Sequence, residues 1–112
     1  MLSRWHEKVR LLLNRLHGTI FQMSRDHHFL IGGVKWLWRY TRLRGKAHGW
    51  TYHGEKVLIE ERLKKRTRLC TEIHEFLHAA NPNLSEEAVV NQSEDLSRIL
   101  WSLGYRLPSS DT

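Results

Sequence analysis

Cysteine is nearly missing from this chain of 112 residues. The one present, Cys70, leaves no intramolecular disulfide framework and fits a reducing, cytoplasmic compartment. Long apolar runs are missing too: none exceeds three residues, as at 11–13 and 29–31, so no segment reads as a bilayer span. Residues 1–17 are basic and leucine-rich, but they have neither a long apolar stretch nor a small-residue cleavage site, which argues against a secretory signal. The basic charge is compatible with a transit peptide, a reading that Glu7 and the shortage of serine weaken. Acidic residues are scarce at first. Residues 1–68 hold 5 Asp/Glu against 16 Lys/Arg, whereas residues 69–112 hold 7 against 2. A basic half beside an acidic one could steer the chain toward nucleic acid or an acidic partner. A solvated surface on a basic protein is the simpler account.

What is present suffices for one domain. With 40% hydrophobic and 10% aromatic residues, a modest core is attainable without disulfide staples. Leu2, Trp5, Val9, Leu12, Leu13 and Leu16 recur at helical spacing with Arg4, Lys8, Arg10 and Arg15 elsewhere around the turn, an amphipathic helix ending near His17-Gly18. Residues 18–32 show no firm period. After Gly32-Gly33, Val34, Trp36, Trp38 and Tyr40 alternate with Lys35, Leu37 and Arg39, which predicts a strand. Residues 42–46 form a basic turn. Residues 50–52 and 56–60 read as two further strands joined through His53-Gly54-Glu55, with Val57 and Ile59 on one face. Interleaved Trp and Arg over residues 35–46 could stack on and clamp a nucleic acid, although aromatics on a small sheet usually form its core.

From Thr67 the period changes to helical. Leu69, Ile73, Phe76, Leu77 and Ala80 make an amphipathic stripe, Thr67 is the expected N-cap, and Asn81-Pro82-Asn83 stops the helix. Ser85 caps a second helix with Glu86 and Glu87 in its first turn. Val89, Leu96, Ile99, Leu100 and Leu103 are its expected core stripe, and Gly104 its C′ residue. The expected fold is α+β: a helix, a small three-stranded, mainly antiparallel sheet, then two helices, the first covering the sheet. Its expected organisation is an N-terminal extension over residues 1–30, a domain over 31–107 and a tail over 108–112.

The first of those two helices carries the chemistry. His74-Glu75-Phe76-Leu77-His78 is an HExxH pattern. On a helix, residues four apart share a face, so both imidazoles can reach one metal ion. Zinc takes such nitrogen ligands in a tetrahedron, and a catalytic site leaves one corner to water, whose proton a neighbouring carboxylate can take. Chance alone yields the bare motif in about one such chain in twenty, so its helical context carries the reading. Two histidines make half a site, and the turn into the second helix can return a carboxylate over them. At about 100° per residue, Glu86 lies roughly 70° from the expected core stripe and Glu87 roughly 170° away. Glu86 is therefore the expected third ligand and Glu87 the fallback. Cys70, one turn before His74, could be a third metal ligand or a redox brake, but a small buried residue is the simpler reading.

The strand at 56–60, the residues leading into HEFLHA, and SEEAV opening a long helix together resemble the minimal zincin metallopeptidases. The resemblance is to small phage and bacterial proteins of the SprT-like and ImmA/IrrE-like types, and it covers roughly residues 33–107. It implies a zinc ion (Zn2+) held by His74, His78 and Glu86, with Glu75 as the base activating the zinc-bound water for peptide-bond hydrolysis. It also implies an antiparallel strand, Val57-Leu58-Ile59, that holds an extended peptide substrate. No motif fixes an oxyanion stabiliser; Tyr52 and Tyr105 are the tyrosines to consider. The competing expectation is a basic nucleic-acid-binding or regulatory protein on a zincin fold without proteolytic activity.

Overall fold

The computed structural model describes residues 26–108. The helix expected at residues 1–17 and the last residues of the tail lie outside them. Four strands and two helices follow in order: β1 (Asp26–Ile31), β2 (Val34–Thr41), β3 (Gly49–Tyr52), β4 (Lys56–Glu60), α1 (Lys65–Ala80) and α2 (Glu86–Ser102). The class is α+β, as expected, but the sheet is four-stranded and mixed, in the order β1-β2-β4-β3. No helix among the described residues is long and apolar enough to cross a membrane.

β1 is the strand that periodicity missed. It pairs antiparallel with β2, Ile31 opposite Val34, so the sheet begins at Asp26 rather than after residue 30. The two-residue connection needs positive φ at both positions, which Gly32 at 58° and Gly33 at 81° supply without strain. β2 then runs parallel to β4, with Leu37 beside Lys56, and β3 folds back antiparallel to β4 as the far edge. The sheet is therefore less antiparallel than expected, because the 42–48 loop carries the chain past the β4 position before the β3–β4 hairpin fills it.

The core lies between the sheet and α1. Trp36 (4% exposed), Trp38 (7%), Val57, Ile59 and Ile31 meet Ala79 of α1, with Tyr40 and Leu63 packed alongside. The two tryptophans are thus core residues and are closed to stacking on a nucleic acid. Burying each aliphatic side chain fully is worth about 1.5–3 kcal/mol.

Both helices bury a different stripe from the one expected. α1 turns Thr71, Glu75 and Ala79 inward, while Phe76 and Ala80 are exposed and Leu69, Ile73 and Leu77 half-buried. The reason is polar: Thr51 of β3 and Gly49 beside it receive the Glu75 side chain, as detailed below. A second polar pin holds the flank of α1. Tyr40 Oη donates to Glu72 Oε2 at 2.5 Å, Trp38 Nε1 donates to Tyr40 Oη at 3.0 Å, and Arg68 Nε donates to Glu72 Oε2 at 3.1 Å. Burial first, and then the Glu72 carboxylate, push the Tyr40 phenol up to about 12.

α2 packs on α1 and runs antiparallel to it, since Arg66 meets Glu94 while His78 meets Glu86. It buries Val89, Ser93 and Ser97. The larger Leu96, Ile99 and Leu103 of the expected stripe stay exposed, and Leu100 is half-buried. Serines allow close approach, and each satisfies its hydroxyl within the helix: Ser93 Oγ donates to the Val90 carbonyl at 3.1 Å and Ser97 Oγ to that of Glu94 at 3.2 Å. α1 starts at Lys65, with Lys64 as an N-cap whose side chain makes no capping bond, so Thr67 lies inside the helix. Ser85 does cap α2, its Oγ accepting from Ala88 N at 3.1 Å. Gly104 (φ 95°) closes α2, its N–H bonding to the Trp101 carbonyl while that of Tyr105 bonds to Leu100.

Candidate metal centre

Three side chains from two helices converge at the open end of the α1–α2 hairpin. His74 and His78, four residues apart on α1, sit roughly a quarter turn round from the sheet-facing stripe, on the side where α2 begins. Asn81 ends α1, its N–H bonding to the Leu77 carbonyl at 2.9 Å. Leu84 N then bonds back to the Asn81 carbonyl at 3.0 Å. The chain therefore reverses within five residues and sets Glu86 at the first position of α2.

Glu86 Oε1 lies 3.1 Å from His74 Nε2, and Oε2 lies 2.9 Å from His78 Nε2. The imidazole rings are 4.9 Å apart at 70° to each other. The three ligand atoms fall within 4.8 Å of one another, and this is the one such group of His, Cys, Asp and Glu among the described residues. Two nitrogens and a carboxylate oxygen are a donor set that zinc accepts at about 2.0–2.2 Å, with a fourth position left open. At these separations each imidazole otherwise needs a proton on Nε2 to bond the carboxylate, so an ion and protons compete for the same atoms.

Glu86 rather than Glu87 joins the histidines. Relative to the stripe α2 actually buries, Glu86 lies about 20° from its middle and Glu87 about 120° away, which is why Glu86 reaches the histidines; the leucine stripe behind the expectation is not the one buried. Glu86 is not inward-facing in the sense of burial: its side chain is 66% exposed. It reaches the histidines from the rim.

Glu75 is one of the few buried charged residues, at 6% exposure. Thr51 Oγ1 donates to its Oε1 at 2.6 Å and lies 3.2 Å from its backbone carbonyl oxygen. Its carboxylate rests on Gly49: a Cβ built there would stand 2.8 Å from Glu75 Cγ and 2.9 Å from Oε2. The side chain thus has one orientation, set by β3. Together with His48, Gly49, Cys70, His74 and Glu94, Glu75 lines a cleft of about 310 Å³ between β3 and the two helices.

Cys70 is half-buried, donates from Sγ to Glu94 Oε1 at 3.6 Å, and stays outside the His-His-Glu group. Neither tyrosine considered as an oxyanion stabiliser lines this cleft. Strand alternation puts Tyr52 on the sheet face away from α1, and Tyr105 borders a different hollow with Trp101 and Arg106. The strand Val57-Leu58-Ile59 is bonded on both sides, to β2 and β3, so it has no free edge for a peptide; the edge beside α1 is β3. His48, Gly49 and Thr51 are the site residues that sequence reasoning passed over. A glycine opening a short strand signals close approach of another group, and that signal was there for Gly49; nothing in the pattern marks His48 or Thr51.

Comparison with protein-family models finds no match, and comparisons with curated proteins and with solved structures find none either.

Proposed function

We propose that the chain is a zinc-dependent metallopeptidase with a zincin-like domain, in which His74, His78 and Glu86 hold the ion and Glu75 is the catalytic base. The observation that carries this reading is the convergence of both Nε2 atoms on one carboxylate, with the motif glutamate fixed in the adjoining cleft. Zinc bound there supplies a Lewis acid that polarises the scissile carbonyl and acidifies water.

The protein's own residues do the rest. Glu75 takes the proton of the attacking water and returns it to the departing amine. Thr51 fixes Oε1, so the proton is handled at a carboxylate that is already oriented before substrate arrives. β3 is the edge strand next to α1 among the described residues, and its outer backbone groups would take an extended peptide along the cleft as an added strand.

The test has two parts. Purified wild-type protein should carry about one zinc per chain by elemental analysis, His74→Ala and Glu86→Ala should lose most of it, and Glu87→Ala should keep it. Glu75→Gln should retain zinc while cleavage of a peptide library falls by orders of magnitude. A Glu75→Gln protein as active as wild type would remove the mechanism. Zinc retention with no cleavage by wild type would point to a regulator on the same fold.

A further inference from the structure

The sheet has two faces, and among the described residues only one is covered, by α1. On the other, strand alternation places Trp50 and Tyr52 of β3, Lys56 and Leu58 of β4, and Leu37 and Arg39 of β2. Trp50 is 55% exposed and Tyr52 46%, both large rings on a strand that otherwise packs against α1. Trp50 stands opposite Leu58, and Tyr52 stands opposite Lys56, whose Nζ lies 5.0 Å from the Tyr52 ring centre. The two residues lie two apart on one strand face, so their backbone positions are roughly 6.6 Å apart.

The surroundings of this face are cationic. Residues 26–62 hold seven Lys/Arg against four Asp/Glu. All four acids are paired within this stretch, Asp26 with Arg39 and Glu60 with Arg62 at 2.8 Å each, and Glu61 with Arg42 and Glu55 with Lys56 more loosely at 3.8 Å each. The 42–48 loop contributes Arg42, Arg44 and Lys46 and no acid, and the bond from Leu43 N to Glu60 Oε1 at 2.9 Å ties it to the Trp50 end of the sheet. Arg44 and Lys46 are exposed and have no acidic partner among the described residues.

We propose that this open face binds single-stranded nucleic acid, with bases stacked on Trp50 and Tyr52 and phosphates held by Arg44, Lys46 and Lys56. Exposed rings on a strand, interleaved with cations and lacking a built hydrogen-bond pocket, suit the faces of unpaired bases without regard to sequence. A duplex hides those faces. A second copy of this chain, at a net charge of +6, would bring like charge onto like charge. The proposal does not depend on the metal centre, which lies across the sheet on the α1 side.

Fluorescence anisotropy of the full chain with a labelled oligothymidylate of about 16 nucleotides tests it. Binding is expected at low salt, and engaging three or four phosphates gives a log–log salt slope of about −2 to −3. Trp50→Ala and Tyr52→Ala should each weaken binding about tenfold, whereas Trp50→Phe, which keeps a ring, should stay near wild type. Glu86→Ala, which disrupts the metal centre, should bind the oligonucleotide as wild type does. Both alanine sites are exposed, so their thermal midpoints should match wild type, separating loss of binding from loss of fold. The proposal is overturned by any of four results: no binding at low salt, wild-type affinity in the double alanine variant, a duplex competing as well as the single strand, or self-association that Trp50→Ala abolishes.

Discussion

Gly49→Ala is a substitution of one methyl group whose consequences the geometry dictates. Gly49 does not need a left-handed backbone, since its φ is not among the positive values, so alanine meets no conformational strain there. By itself the change should stabilise the protein by about 0.4–1 kcal/mol through the unfolded chain. The new Cβ, however, would stand 2.8 Å from Glu75 Cγ, where ordinary contact begins near 3.4 Å, so the glutamate must retreat by about 0.6 Å. Overpacking of this kind costs about 1–3 kcal/mol, and loosening the Thr51–Glu75 bond adds about 1 kcal/mol. The net expectation is a loss of about 1–3.6 kcal/mol, a fall in thermal midpoint on the order of 5–15 °C for a chain of this size. On the proposed function, zinc content should not change, because the atoms nearest the new Cβ all belong to Glu75 and none to the three donors. Peptide cleavage should fall by up to about a hundredfold, since the base has been moved while the ion has not. Circular dichroism melts, elemental analysis and a peptide assay on the same preparations read all three quantities. The decisive control is a double-mutant cycle: in a Glu75→Ala background the clash is gone, so Gly49→Ala should turn neutral or stabilising. An equal cost in both backgrounds would refute the reasoning, as would a Gly49→Ala protein with wild-type stability and turnover.

Two further expectations concern pH. The Tyr40 phenol is raised from 10.0 to about 12, so the fold prefers its protonated form. That contribution is complete below pH 10 and lost as pH rises from 10 to 12, and it amounts to about 2–3 kcal/mol. Urea titrations across that range should show the loss in wild type and a flatter profile in Tyr40→Phe, which starts less stable because Glu72 loses one of its two donors and keeps only Arg68. Conversely, the Arg62 guanidinium, with the Leu43 and Arg62 amides, holds the Glu60 carboxyl down at about 2 against 4.5. Its contribution is complete above pH 4.5 and lost as pH falls toward 2, so Glu60→Gln should remove part of the acid sensitivity in the same titration. If either variant kept the wild-type pH profile, the corresponding network would not be anchoring the fold.

The residues that sequence made legible are those whose partners are close in the chain. The HExxH helix, the Ser85 cap, the Gly104 terminus and the 53–55 hairpin rest on spacing of a few residues, and helical angle alone separated Glu86 from Glu87. The sheet was less legible because its pairings are distant: β1 has a continuous apolar end rather than alternation, and nothing local announces that β2 lies parallel to β4. The buried stripes were misplaced because hydrophobicity was the guide. α1 meets the sheet through Thr71 and Glu75, and α2 meets α1 through Ser93 and Ser97, so polar or small residues occupy positions that a leucine pattern cannot mark.

The distances along the chain also separate two events during folding. The three donors fall within residues 74–86, so an αα-hairpin alone brings them together, and such local closure is fast. The partners that orient Glu75 belong to β3, 24 residues earlier, and reach it only when the hairpin docks on a sheet whose central pairing joins Leu37 to Lys56. On the proposed function, a chain caught between these steps would hold metal with its base still unset. Ion capture would then bias the hairpin early, while competence for chemistry would arrive with the last, slowest closure, and a partly folded molecule in the cell would be loaded but inert.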